Sequence, residues 1–392
     1  MTGEIVKSPN RIGARNPANY AGALVNEPPL SVGVRNPFVY AEHKSGKKID
    51  WDQMSPGQKR KQLAEAYGKS YQELFDSRND SPLFVQTGDV RPCTTVSNPT
   101  WEAIPNSTYT DTVNKTRAYN DPVQGGLPDC YFIAALSSIA FAAPAFIQDK
   151  TGPDYTYFFY NPPSGAPVRD PEPITITNKL PLDSSRTYRY SKSFTAGEIW
   201  VAMYEKAFAA WKKRSLGDTP DYSLICTGDP VLALLNISGL KYDQNTTFLT
   251  KNLTESLIYS KILSVCKNSP VPPPLYSVTQ KPMVAYTYDP RIETPPSGIT
   301  YEDATIVANH SYSVLGVLTQ GGSNYIVMRN PWGQKGAGPG FGDPDPTKLP
   351  AGAMASGPWY KVPELSNPND AVFALRVDIF KKYFKGFGWV TT

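Results

Sequence analysis

The sequence is short of the features that usually place a protein quickly. It has two histidines and four cysteines in 392 residues. Cys93, Cys130, Cys226 and Cys266 are scattered without paired spacing, so neither a zinc knuckle nor a disulfide framework is signalled, and a reducing compartment is expected. Charge of one sign is lacking too. Lys plus Arg number 39 against 35 Asp plus Glu, and no basic run exceeds Lys212-Lys213-Arg214, which argues against nucleic acid as a partner. The N-terminus has no apolar core of signal-peptide length, so a cytoplasmic location is expected. The longest apolar run, Cys130 to Ile147, is interrupted by Ser137, Ser138 and Pro144 and falls short of the ~20 residues a membrane span needs. It reads as a helix buried in protein, and no membrane span is expected.

What is present suits a globular protein of two or three domains, with 40% hydrophobic residues and 12% aromatics. Proline, at 38 residues, is about twice its usual ~5% share and gathers in connecting stretches, which predicts long ordered loops. Residues 1 to about 50 read as an extended Pro-, Gly- and Asn-rich arm. An amphipathic helix then opens at Ser55-Pro56 and presents Leu63, Tyr67, Tyr71, Leu74 and Phe75. A helix is predicted from Cys130, followed by strands over Tyr155–Tyr160 and Pro173–Leu182. A second helix should open on a Thr195/Glu198 capping box and bury Ile199, Trp200, Met203, Tyr204, Ala207, Phe208 and Trp211. A third, from Leu253 to Lys267, should end before Pro270 to Pro274. From Lys281 the texture turns to β, with strands expected at Met283–Tyr288, Ser311–Leu318, Tyr325–Met328 and Ala371–Val377. The closing DIFKKYFKGFGWV reads as an amphipathic segment outside that sheet.

The chemistry centres on Cys130. Two glycines, Pro128 and Asp129 lead into the apolar helix, with the thiol at its first position. There, unpaired backbone N–H groups and the positive end of the helix dipole favour thiolate over thiol. A thiolate nucleophile needs a base. His43 sits among charged residues in the arm and reads as a solvated surface histidine. His310 opens a β run and Asn330 follows twenty residues later, so one hairpin would set them side by side, with the Asn330 amide orienting the imidazole. Gln124, six residues before Cys130, has an amide that can join the Cys130 N–H as an oxyanion hole. Taken singly, a cysteine at a helix start is commonly inert packing and a strand-edge histidine a satisfied polar group. The combination points to catalysis.

These residues resemble the calpain-type cysteine proteases within the papain-like class. That family's nucleophile block reads Gln, Gly, any residue, Leu, Gly, Asp, Cys, Trp; here it is Gln124, Gly125, Gly126, Leu127, Pro128, Asp129, Cys130, Tyr131. Its second block appears as His310-Ser311-Tyr312-Ser313-Val314 and Arg329-Asn330-Pro331-Trp332-Gly333, and Tyr204-Glu205-Lys206-Ala207-Phe208 is similar to its Leu-Glu-Lys-Ala-Tyr helix. The resemblance implies an α+β, papain-like two-lobed fold: an N-terminal extension over 1–110, a helical lobe over 111–242, and an antiparallel β lobe over 243–392, with the site in the cleft between the lobes. It implies a cysteine endopeptidase that cleaves protein substrates through an acyl-enzyme, with Cys130 as nucleophile, His310 as base, Asn330 as orienter, Gln124 as oxyanion donor and Trp332 as a shield over the His310–Asn330 bond. No organic cofactor is implied.

Conventional calpains bind one calcium ion in each half of the protease core. Asp121 and Glu205 stand where the first-half site supplies carboxylates, so one Ca²⁺ in the first lobe is expected, unless Asp121 merely caps a turn. Gln334 to Gly338 carries no carboxylate, so the second-half site is expected to be missing, and Asp343 and Asp345 read as loop residues. The β-sandwich and EF-hand regions of conventional calpains have no counterpart in this sequence, so EF-hand calcium sensing is not expected. Two other readings stay open. One is a catalytically silent interaction module in which residues 1–110 lie in the cleft. The other is transglutaminase-like acyl transfer, which expects an aspartate where Asn330 stands. Oligomeric state is not legible.

Overall fold

The computed structural model describes residues 93, 95–110, 117–148, 155–161, 171–213, 218–241, 246–268, 276–290, 294–296, 299, 301, 306–333, 359–360 and 371–391. The arm over residues 1–50, the helix expected from Ser55, His43, and the stretch with Asp343 and Asp345 lie outside these residues. The architecture is mixed α+β, helices first and an antiparallel sheet after.

The helices are α1 (Cys130–Ala142), α2 (Trp200–Lys213), α3 (Pro230–Ser238), α4 (Glu255–Leu263) and α5 (Val377–Tyr383). Every residue of α1 from Cys130 to Ala140 is buried, so this helix is central rather than amphipathic. It stops at Ala142 because Pro144 cannot continue the ladder, and a short 3-10 turn over Pro144–Phe146 follows. α2 meets it through Phe132 stacked on Phe208 at 4.4 Å, and its Trp211 stacks at 5.3 Å on Phe159 of the strand Tyr155–Tyr160. α3 is capped at both ends: Asp229 accepts from the N–H groups of Val231 and Leu232, Pro230 opens the first turn, and Gly239 closes it in the left-handed region.

Short ladders flank these helices. β1 (Thr100–Ala103) pairs with β5 (Lys179–Leu182), β2 (Pro122–Val123) with β6 (Lys192–Ser193), and β3 (Tyr155–Tyr160) with β4 (Pro171–Ile176), all antiparallel. The large sheet follows with β7 (Thr247–Leu249), β8 (Cys266–Asn268), β9 (Tyr276–Thr287), β10 (Ser311–Gln320), β11 (Ser323–Arg329), β12 (Trp359–Tyr360), β13 (Val372–Arg376) and β14 (Phe384–Trp389). Its strand order is β12-β13-β11-β10-β9-β14-β7, with β8 also paired to β9. β10 and β11 form a hairpin through Gly321-Gly322, with Gln320 opposite Ser323 and Ser313 opposite Arg329.

Four expectations need correcting. Cys93 and Cys226 form a disulfide with Cα atoms 5.6 Å apart; a separation of 133 residues hides such a pair from any spacing rule, and the cysteine-based reason for a reducing compartment goes with it. The closing segment is not outside the sheet: it splits into α5 and then β14, which is buried throughout and runs between β9 and β7. Thr195 and Glu198 do not cap α2. They form a turn, Glu198 bridges to Thr108, and the helix begins at Trp200. The third helix, α4, ends at Leu263, and its predicted last residues instead form β8 on β9. Among the described residues no helix is long and apolar enough to cross a membrane.

Candidate active site

α1 lies against β9 and β10, and two serines set its register there. Ser313 Oγ donates to the Ala134 carbonyl at 2.7 Å, and Ser138 Oγ both donates to the Met283 carbonyl and accepts the Met283 N–H, each at 2.7 Å. Cys130 lies one helical turn before Ala134, and His310 lies just before Ser313 on β10, so the two share one end of the helix–sheet contact. Ser137 Oγ donates to the Tyr119 carbonyl at 2.5 Å, so Ser137 and Ser138, which break the apolar run in the sequence, are ties that seat the helix.

The loop before Cys130 is bound to the turn after β11. The Gln124 N–H donates to the Pro331 carbonyl at 2.9 Å, while the buried guanidinium of Arg329 donates to the carbonyls of Asn120 (2.9 Å) and Pro122 (2.8 Å) and to Ser137 Oγ (3.3 Å). Sequence reasoning met Arg329 only as part of a motif. Its signal was an arginine ending a strand of otherwise buried β residues. On the other side, Gly126 N–H donates to the Arg189 carbonyl at 2.7 Å, and at Gly125 any Cβ would sit 2.0 Å from the Tyr190 oxygen. Only glycine allows this approach. The Gln124 side-chain amide donates to the Leu127 carbonyl at 2.6 Å, within its own loop.

His310 is held by its backbone and by its ring. Asn309 adopts the left-handed conformation that asparagine tolerates, the His310 N–H donates to Thr287 Oγ1 at 2.9 Å, and the Thr287 N–H donates to the His310 carbonyl at 3.0 Å. Its Nε2 lies 2.9 Å from Asn330 Oδ1. The same Oδ1 accepts the Trp332 backbone N–H at 3.0 Å, which fixes the amide with its oxygen toward the imidazole. Nε2 is therefore the donor, and Nδ1 is the basic nitrogen of the neutral ring. The ring meets Tyr312 edge-on at 5.0 Å and Trp332, partly exposed, at 5.1 Å. Cys130, His310 and Asn330 are all fully buried.

Cys130 takes no part in the disulfide. Its neighbour Tyr131 is kept neutral by burial, reinforced by the charges of Asp129 and Cys130, and its ring rests against Gly228. The remaining thiol, Cys266, is pushed up to about 12 by burial and is a poor nucleophile.

The two carboxylates expected to bind calcium do not offer a cation site. Asp121 Oδ2 accepts from the Ala118 N–H at 2.8 Å and from Trp200 Nε1 at 3.1 Å. Glu205 accepts the Ser191 N–H with both oxygens at 3.1 Å and the Tyr188 hydroxyl at 2.8 Å. Asp121 Oδ2 and both Glu205 oxygens thus face hydrogen-bond donors, whose protons would repel an ion, and among the described residues no three His, Cys, Asp or Glu side chains gather as a ligand set. The donor sets do not fit calcium.

Comparison with known proteins accords with this geometry. The pattern of the calpain family cysteine proteases matches residues 99–344. A thiol protease of Porphyromonas gingivalis (strain ATCC BAA-308 / W83) is 29% identical over 288 residues, covering 67% of this chain and 53% of that protein. The calpain-type cysteine protease DEK1 of Arabidopsis thaliana is 24% identical over 216 residues, covering 54% of this chain and 9% of that protein. The chain therefore spans about half the length of the first and under a tenth of the second. Since the family pattern covers more than half of its length, the chain belongs to the calpain family of cysteine proteases.

Proposed function

We propose that the protein is a cysteine endopeptidase of papain-like, two-lobed build that hydrolyses peptide bonds through a thioester acyl-enzyme. One observation carries the reading: an imidazole whose Nε2 is bonded to Asn330 Oδ1 at 2.9 Å, with that amide pinned by the Trp332 N–H, at the end of the sheet where α1 begins with Cys130. In the reaction His310 Nδ1 takes the Cys130 proton, and the thiolate attacks the scissile carbonyl. The Cys130 N–H and the Gln124 amide stabilise the oxyanion, for which Gln124 turns a donor outward from Leu127. The imidazolium then protonates the leaving amine as the C–N bond breaks. Water, deprotonated by His310, cleaves the thioester, releases the acid and restores the thiol. Asn330 holds the ring in the required tautomer, and Trp332 shields their bond from water. Because the three groups are closed over in this conformation, the cycle includes an opening step that admits the substrate.

An epoxide-succinyl probe tests the reading: it should modify Cys130, fail on Cys130→Ala and react slowly with His310→Ala. Intact, folded protein that neither takes the probe nor cleaves casein, with or without calcium, would sink the protease reading in favour of a silent module. Incorporation of an amine in place of hydrolysis would redirect it to acyl transfer.

A further inference from the structure

His310 stands just beyond both ladders that hold β10: pairing with β9 starts at Ser311 opposite Tyr286, and pairing with β11 starts at Ser313 opposite Arg329. The next position of the β9–β10 ladder would pair His310 with Thr287, each residue giving its N–H to the other's carbonyl. Only half of that pair is made. The Thr287 N–H donates to the His310 carbonyl at 3.0 Å, but the His310 N–H turns to the Thr287 side chain and donates to Oγ1 at 2.9 Å. The same hydroxyl donates to the Val307 carbonyl at 2.8 Å, with the His310 carbonyl further off at 3.2 Å. The Val307 N–H donates in turn to the Tyr312 hydroxyl at 2.9 Å, and the Asn309 N–H to the Tyr288 carbonyl at 2.7 Å. Thr287, Val307, Asn309 and His310 are all buried.

We infer that Thr287 is a positioning residue for the general base: its hydroxyl holds the peptide leading into His310 out of the regular ladder and thereby aims the imidazole at Asn330. A threonine hydroxyl carries one donor and two acceptor sites, so it can take the His310 N–H and still restrain Val307. Asn309, just before the base, is kept left-handed at φ 48°, a conformation uncommon outside glycine. Without the hydroxyl, the buried His310 N–H recovers a partner by turning to the Thr287 carbonyl, which completes the ladder and rotates the histidine. Asn330 does not follow. Its amide oxygen is pinned by the Trp332 N–H at 3.0 Å and its own N–H by the Ala371 carbonyl at 3.1 Å, so a rotated ring loses the 2.9 Å contact of Nε2 with Oδ1. A general base acts only within hydrogen-bond reach of its partners. What the Thr287 hydroxyl contributes is therefore the direction of the ring.

The inference rests on His310 being the base of the proposed hydrolysis, and its test reads the imidazole directly as well as through turnover. In protein carrying isotope-labelled histidine, the buried Nε2 proton bonded to Asn330 should give a slowly exchanging magnetic-resonance signal. His310→Ala identifies it, since the sequence holds only two histidines. The kcat and KM for casein cleavage are measured beside it. Thr287→Val, which keeps the shape and removes the hydroxyl, should erase that signal and lower kcat by about 10- to 100-fold, with KM within about twofold, the scale of loss for a misplaced catalytic group. Thr287→Ser, which keeps the hydroxyl, should retain the signal and most of kcat. Tyr312→Phe keeps the ring edge against the imidazole and removes the hydroxyl that holds Val307; it should lower kcat about twofold to threefold, and it decides the matter should Thr287→Val not fold. Wild-type kcat in Thr287→Val, or in Tyr312→Phe where that variant stands in, would overturn the inference. So would a lower kcat with the imidazole signal unchanged, or a Thr287→Ser as impaired as Thr287→Val. A wild type without a protected imidazole proton would overturn it too. A wild type that shows the signal but hydrolyses nothing would defeat the protease reading alone, and the signal in the variants would then decide this one.

Discussion

The two halves of the molecule hold their functional groups by different means. In the sheet, His310 and Asn330 sit at the ends of neighbouring strands of one hairpin, so their pairing follows from the β10–β11 register and is backed by main-chain bonds on both sides of β10. In the helical half, Cys130 is placed by a few buried polar side chains that reach far along the chain: Ser138 to Met283, and Arg329 to Asn120 and Pro122. A ladder spreads its load over many bonds, whereas a buried arginine or serine concentrates it in one side chain. The nucleophile's side should therefore be the more fragile to single substitutions, and the base's side the more tolerant except at the reacting groups and at the Thr287 hydroxyl that seats His310.

That contrast can be tested from its largest consequence down. His310→Ala should lower kcat by ~10²–10⁴-fold, the range for losing a general acid–base, while the denaturant midpoint changes little. A large loss of stability would mean that the sheet leans on this side chain as the helical half leans on its own. Loss of the Cys93–Cys226 bond, by reduction or in the Cys93→Ser/Cys226→Ser pair, should destabilise the helical half by up to about 4–5 kcal/mol on the chain-entropy account, read by urea unfolding with and without reductant. Arg329→Met should cost about 3 kcal/mol, since three buried acceptors lose a charged donor at once, and activity should fall in step with stability. Ser138→Ala should cost about 1–2 kcal/mol, because Met283 loses a donor and an acceptor together.

The smallest expected effect concerns acid. Burial pushes the Asp218 carboxyl up, but hydrogen bonds from Lys206 and Thr177 outweigh it and leave Asp218 below the usual carboxylate value. A depressed folded value means that its contribution is complete above the ordinary carboxylate range and is lost as pH falls through the folded value. Asp218 is partly exposed and screened, so the gap in melting temperature between wild type and Asp218→Asn should be modest near pH 6 and close toward pH 3. A gap that widened in acid would show that the sign is wrong.

Much of the site was legible because its signals are local. An apolar run opening on a cysteine predicts a buried helix with a thiol at its start, and alternating Val, Tyr and Leu on either side of Gly321-Gly322 predict a hairpin; both lie where expected. Other features were hidden because they join residues far apart. Cys93 and Cys226 gave no spacing to read, and the apolar, glycine-containing β14 looked like a tail although its backbone fills a gap between β9 and β7. Ser137 and Ser138 looked like interruptions, although their hydroxyls complete bonds to distant backbone and to Arg329.

By itself, then, the sequence determined the chemical types and their local settings: a thiol at a helix start, a histidine and an asparagine on one hairpin, a glutamine and glycines in the loop before the thiol. Periodicity, turn chemistry and helix polarity act over a few residues, so they can be read without knowing the fold. Tertiary structure alone decided what the buried polar groups do. A carboxylate such as Glu205 can hold an ion, cap a helix or accept from backbone and tyrosine donors, and the outcome depends on which donors the packed chain brings within 3 Å or so of its oxygens.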